Sequence, residues 1–192
     1  MKRFLTLVAG VSALGLASQA GAAGSSDQKS VPVTGTVASL CVLGLPSPAS
    51  VDVGEMAQTS GASVGKITTI SEHDVSLPAS FCNYAGTQVT IEGTALVAAD
   101  TSPVQPGFAR AVNFTSTVTP WATTPATVTT AAAADGSNPS ATGSGGTLCT
   151  PKLTDLTLAL TNFTAPSNAL LVAGGYTGTV TITLGPSAGG CI

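Results

Sequence analysis

From Val31 onward apolar and polar side chains alternate with a period of two, and a helical period of 3.6 is almost absent. Val31, Val33, Gly35, Val37 and Ser39 lead into Cys41 along a β-favouring run, which predicts an early strand with one face on a core. Apolar sets follow at Ile67 to Ile70, at Val75 and Leu77, and at Ala79 to Phe81. Thr87 to Glu92 alternates with Val89 and Ile91 facing one way, and Ala109 to Val118 continues the pattern. Leu153 to Phe163 sets Leu156, Leu158 and Leu160 against Thr157, Ala159 and Thr161 on the opposite face. The last run is the clearest: Tyr176, Gly178, Val180, Ile182 and Leu184 point inward, and Thr177, Thr179, Thr181 and Thr183 outward.

About seven short strands, separated by clusters of Gly, Pro, Asn and Ser, predict an all-β, antiparallel sandwich. Ala131 to Ala134 has the composition for one turn of helix. The Thr-rich stretch before it and DGSNPSATGSGG after it make residues 120–148 one long, flexible loop by expectation. No linker divides residues 24–192, so a single domain is expected.

The first residues change the picture by adding a destination. Lys2 and Arg3, the apolar stretch Phe4 to Ala17 and the small residues Ala20 to Ala23 have the layout of a secretory signal peptide over residues 1–23. Its apolar part is too short to cross a bilayer core about 30 Å thick as a helix, and no later window is longer, so no membrane span is expected. Without Lys2 and Arg3 the chain keeps four basic residues against nine acidic ones, a net charge of −5, which gives nucleic acid or an anionic membrane no attraction. Only 8% of residues are charged, against roughly 25% in ordinary domains. A surface of Thr, Ser, Ala and Gly suits a protein packed against copies of itself. The 43% hydrophobic content argues against disorder.

Cys41, Cys82, Cys149 and Cys191 form an even set in a chain expected to be exported, so disulfides are the default, with three connectivities open. Chain order favours Cys41 with Cys82 and Cys149 with Cys191, each closing a loop of about 40 residues. Zinc is disfavoured because no two cysteines have knuckle spacing.

The sequence offers little for catalysis. His73, the only histidine, lies in Glu72-His73-Asp74, whose neighbours would point to opposite faces of a strand, and an exposed loop is the simpler expectation. No nucleophile elbow is present, and the nine acids give no placed pair for glycoside hydrolysis. Asp135 to Asn138 lacks the further acids of a calcium loop. Neither an enzyme nor a cofactor or metal site is expected. Trp121, between Pro120 and Ala122, is read first as a buried anchor at the sandwich rim and second as a platform for a sugar. Phe114 and Phe163, inside Asn-Phe-Thr triplets, are read as core.

Five segments resemble the chaperone-usher pilins, especially the archaic branch that includes the spore coat U-like secreted proteins. They are VTGTVASLC ending at Cys41, VDVGEM at Val51 to Met56, VSLPASFC at Val75 to Cys82, TQVTIEG at Thr87 to Gly93, and GGYTGTVTITL at Gly174 to Leu184. The resemblance implies a Cys41–Cys82 bridge and an immunoglobulin-like sandwich that lacks its final strand. It also implies a periplasmic chaperone, an outer-membrane usher and like subunits as partners. The route would run through the periplasm to a surface fimbrium or coat with a role in adhesion.

Strand addition to an open edge would then hold subunits together, by backbone hydrogen bonds and alternate apolar side chains. The candidate groove residues are Leu156, Leu158, Leu160, Tyr176, Val180, Ile182 and Leu184, and the candidate donor residues are Val31 and Val33. Two features depart from the family pattern: Pro32 lies between the donor valines, and Cys191 has no counterpart there. A Cys149–Cys191 bridge would tie the tail down and fit a closed fold. The alternative function is a monomeric secreted binding module, for example for carbohydrate, using Trp121 and the 120–148 loop.

Overall fold

The computed structural model describes residues 27–191, and the expected signal peptide, residues 1–23, lies outside them. The chain divides into a short N-terminal unit ending at Thr36 and a β unit beginning at Val37. The β unit carries ten strands: β1 Cys41–Val42, β2 His73–Cys82, β3 Thr87–Ala98, β4 Phe108–Ala109, β5 Ala111–Thr119, β6 Ala126–Thr129, β7 Ala141–Ser144, β8 Lys152–Thr164, β9 Leu170–Leu171 and β10 Tyr176–Pro186. No α-helix occurs among the described residues, and none of their helices is long and apolar enough to cross a membrane.

The main sheet runs β1-β2-β8-β5-β3-β10, all neighbours antiparallel, with β6 added beside β5 and β7 beside β3. Strand β5 serves both layers. Its first residues, Ala111 and Val112, pair with β3, and from Asn113 onward it pairs with β8. The sheet therefore folds over at β5 into a nearly closed, sandwich-like barrel whose two ends are β1 and β10. Register follows the alternation: Leu77 lies opposite Leu156, Val75 opposite Leu158, and Ile182 opposite Ile91.

The core is made by the inward set of each strand, with Ile91, Leu156 and Val112 wholly buried. Phe114 and Phe163 stack at 5.7 Å between ring centroids. The stretch expected as one loop over 120–148 instead contains β6 and β7. Ala126 and Val128 turn inward and Thr127 and Thr129 outward, and glycine at 143 lets β7 approach β6, since a Cβ there would collide with the Thr127 carbonyl. The alanines between them are anchored too: Ala132 packs in a small second core with Ala95 and Ala111, and its backbone exchanges two hydrogen bonds with the Asn113 amide.

The strand expected over Val31 to Ser39 is not formed. Only Cys41 and Val42 pair, and every residue from Asp27 to Leu40 is exposed. Just before Cys41 the backbone of Ala38 and Leu40 is engaged by Asn83 in place of a strand ladder, and Pro32 further back has no amide proton to offer one. Both disulfides favoured by chain order are present, Cys41–Cys82 and Cys149–Cys191. Bonds of this kind persist in oxidising compartments.

Candidate functional site: an open groove beside the last strand

β10 ends the sheet, with β3 on one side and, among the described residues, no strand hydrogen-bonded on the other. Its threonines face solvent, as the alternation dictates. Its inward side chains Val180, Ile182 and Leu184 are only half-buried, although they point at the core. For Val180 and Ile182 the cause is a cavity of about 570 Å³ that both line. One wall is β10 from Gly178 to Ile182, and the other is the irregular segment after β1, with Leu43, Pro46 and Pro48 to Val51 and Val53. The floor is core: Val75, Leu77, Leu96, Phe114, Leu158, Leu160 and Phe163. The barrel seam between β1 and β10 is thus an apolar trench whose β10 edge has unpaired backbone groups, an arrangement open to a further strand.

Of the seven candidate groove residues, Leu158, Leu160, Val180 and Ile182 line this trench. Leu156 lies deeper, wholly buried in the core. Leu184 packs on the core beyond the trench. Tyr176 also lies outside it: its hydroxyl donates a 2.7 Å hydrogen bond to the Val172 carbonyl, and burial pushes its pKa above the ordinary value. Gly178 interrupts the alternation at a register shift between Thr177 and Thr179, and a Cβ there would lie 2.7 Å from the Ala95 carbonyl oxygen.

The candidate donor residues Val31 and Val33 are 83% and 92% exposed, and Val37 is 89% exposed. In an extended strand these valines and Gly35 would share one face at a repeat of about 6.8 Å, the same repeat as Val180 and Ile182. Nothing in the sequence singled out Asn83, which fixes the root of this segment. Its amide donates to the Ala38 carbonyl at 2.8 Å and accepts from the Leu40 N–H at 2.7 Å, while its own N–H donates to the Leu40 carbonyl at 3.0 Å.

Comparison of the chain with protein-family models, with curated proteins and with solved structures found no match.

The tail after β10 leaves the trench open. Ser187 donates its N–H to the Gly86 carbonyl at 2.7 Å, its hydroxyl meets that of Thr147 at 2.6 Å, and Cys191 is bonded to Cys149. These contacts hold the tail beside the loop before β8, whereas the trench is lined by residues 178–182 of β10.

Trp121 is only 2% exposed, so it offers no platform to a sugar, and Lys152 closes over its ring while donating to the Pro120 and Trp121 carbonyls. His73 opens β2 rather than lying in a loop, and it sits edge-on to Phe163 at 6.3 Å. Glu72 and Asp74 flank it as exposed residues. Among the described residues no three His, Cys, Asp or Glu side chains gather as metal ligands would.

Proposed function

We propose that this protein is a structural subunit of a surface fibre or coat, in which the extended segment of one copy completes the barrel of the next. The observation that carries the reading is the unfilled apolar trench of about 570 Å³ along β10, in a chain that also presents an exposed valine at every other position of 31–37 except Gly35. A trench of this kind leaves core side chains facing water. Fully burying three valines contributes roughly 1.5 to 3 kcal/mol each, before the cost of ordering the segment. New backbone hydrogen bonds along β10 would fix the direction and register of the inserted strand.

Pro32 is compatible with this role. An inserted strand with β10 on one side needs no donated N–H at every position of its other side, and Pro is tolerated at such edges. Export, folding with a periplasmic chaperone, passage through an outer-membrane usher and adhesion belong to the same reading. They are supported by the leader-like first residues, the two disulfides and the segments that resemble archaic chaperone-usher pilins.

The test is to replace Val31, Val33 and Val37 together by Asp and to follow the assembly of exported protein. Exposed positions tolerate such changes in a monomer. The variant is expected to remain folded and to form no oligomer ladder, whereas ladders equal to those of the unaltered protein would sink the reading.

A further inference from the structure

A second concavity lies away from the trench, where four segments, at Lys66, 104–108, 134–135 and 167–170, meet at the short parallel pair β4 and β9. It has a volume of about 490 Å³, within the usual range for small-ligand sites, and adjoins a smaller one of about 260 Å³ through Val104, Gln105 and Phe108. Its walls are held from behind. The buried Arg110 donates to the Asp100 and Ser102 carbonyls, each at 2.6 Å, and the Arg110 N–H donates to the Ala134 carbonyl at 3.0 Å. One guanidinium-bearing residue thus fastens the 100–108 loop and the 134–136 turn. The third wall is fixed by Leu170, whose N–H donates to the Gly107 carbonyl at 2.9 Å. It also contains two consecutive non-glycine residues in the left-handed region, Ser167 at φ 54° and Asn168 at φ 51°, a costly conformation that recurs at ligand sites.

The chemistry presented by these walls is specific. Phe108 is 42% exposed, an aromatic face left open in a protein with few aromatic residues. Around it Lys66, Gln105 and Asn168 are among the lining residues, and their side chains make no hydrogen bond among the described residues. Asp135 adds a carboxylate of which only one oxygen is engaged, by the Ser137 N–H. Lys66 and Asp135 balance in charge, so neither an anion nor a cation is selected, and a single carboxylate is too few for a metal. An apolar ligand would strand the polar groups. A ring with hydroxyls along its edges and C–H bonds on its faces satisfies both sets.

We propose that this end of the barrel binds a small neutral saccharide, with Phe108 packed on a sugar face and Gln105, Asn168, Asp135 and Lys66 bonded to its hydroxyls. The site shares no residue with the trench, so binding does not depend on whether the protein polymerises.

The test is amide chemical-shift titration of the folded, exported protein with glucose, galactose, mannose and N-acetylglucosamine, with glucuronate for comparison. The expected result is saturable millimolar binding of at least one neutral sugar, with shifts confined to residues around 65–67, 104–108, 134–136 and 166–170. Phe108→Ala should weaken it at least tenfold, and Gln105→Ala, a change at an exposed side chain that leaves the fold intact, should weaken it measurably. The proposal is overturned by no response to any neutral sugar at about 100 mM, by a response to glucuronate alone, or by affinity unchanged in folded Gln105→Ala and Phe108→Ala.

Discussion

Ser116 lies wholly buried on the inward face of β5, and its hydroxyl has no partner among the described residues. Burying an unsatisfied hydroxyl costs about 1 to 3 kcal/mol, so Ser116→Ala is expected to raise stability by about 1 kcal/mol, read as a higher midpoint in urea. Tyr176 is a titrating counterpart. Burial raises its folded pKa above the unfolded value of about 10, so the neutral phenol is the form that the fold prefers. Its contribution is complete below pH 10 and is lost as pH rises through the folded value. Tyr176→Phe should lose about 1 kcal/mol at neutral pH with the Val172 hydrogen bond. The gap between variant and unaltered protein should then narrow in alkaline thermal melts, and a constant gap up to pH 11 would refute this assignment. At this scale the sequence was only partly legible. Both Phe114 and Phe163 were read as core, yet only Phe114 is in phase with its strand; Phe163 is out of phase with Leu156, Leu158 and Leu160 and turns inward just past Asn162, which sits at φ 55°. Asn83 could not be singled out, because its role depends on Ala38 and Leu40, more than 40 residues earlier.

Strands with a core on one side announced themselves, and those defined by what they lack did not. β8 and β10 were readable to within a few residues because alternation is enforced wherever one face is buried. The same alternation over Val31 to Ser39 predicted a strand that the fold does not form, since a period of two records that a segment is suited to pairing and not that a partner is present. β6 and β7 were hidden by being four residues long and rich in Thr, Gly and Ser. The trench itself is a gap between β10 and a segment without regular structure, and only the half-burial of Val180 and Ile182 reveals it. The tail is a separable element. Replacing Cys149 and Cys191 together by Ser opens a link spanning 42 residues. This is expected to cost about 4 kcal/mol on the chain-entropy model, seen as a lower melting temperature. Because the tail's anchors lie apart from residues 178–182, the trench should keep its affinity for a strand-forming peptide. Loss of that affinity in the folded variant would mean that the tail shapes the trench.

For the whole molecule, a barrel closed at β5 and open between β1 and β10 is a fold with one side of its core unfinished. The low charge of 8% fits a surface that meets like surfaces, and among the described residues the one ion pair joins exposed Lys29 and Asp27. The most direct test is light scattering during size-exclusion chromatography of the exported protein, with and without a synthetic peptide covering residues 27–40. Oligomer ladders from the protein alone, converted by the peptide into a stable one-to-one monomer complex, are the predicted result. A monodisperse monomer that ignores the peptide would contradict the account, because its trench would then be a feature of a complete fold rather than the seat of a donated strand.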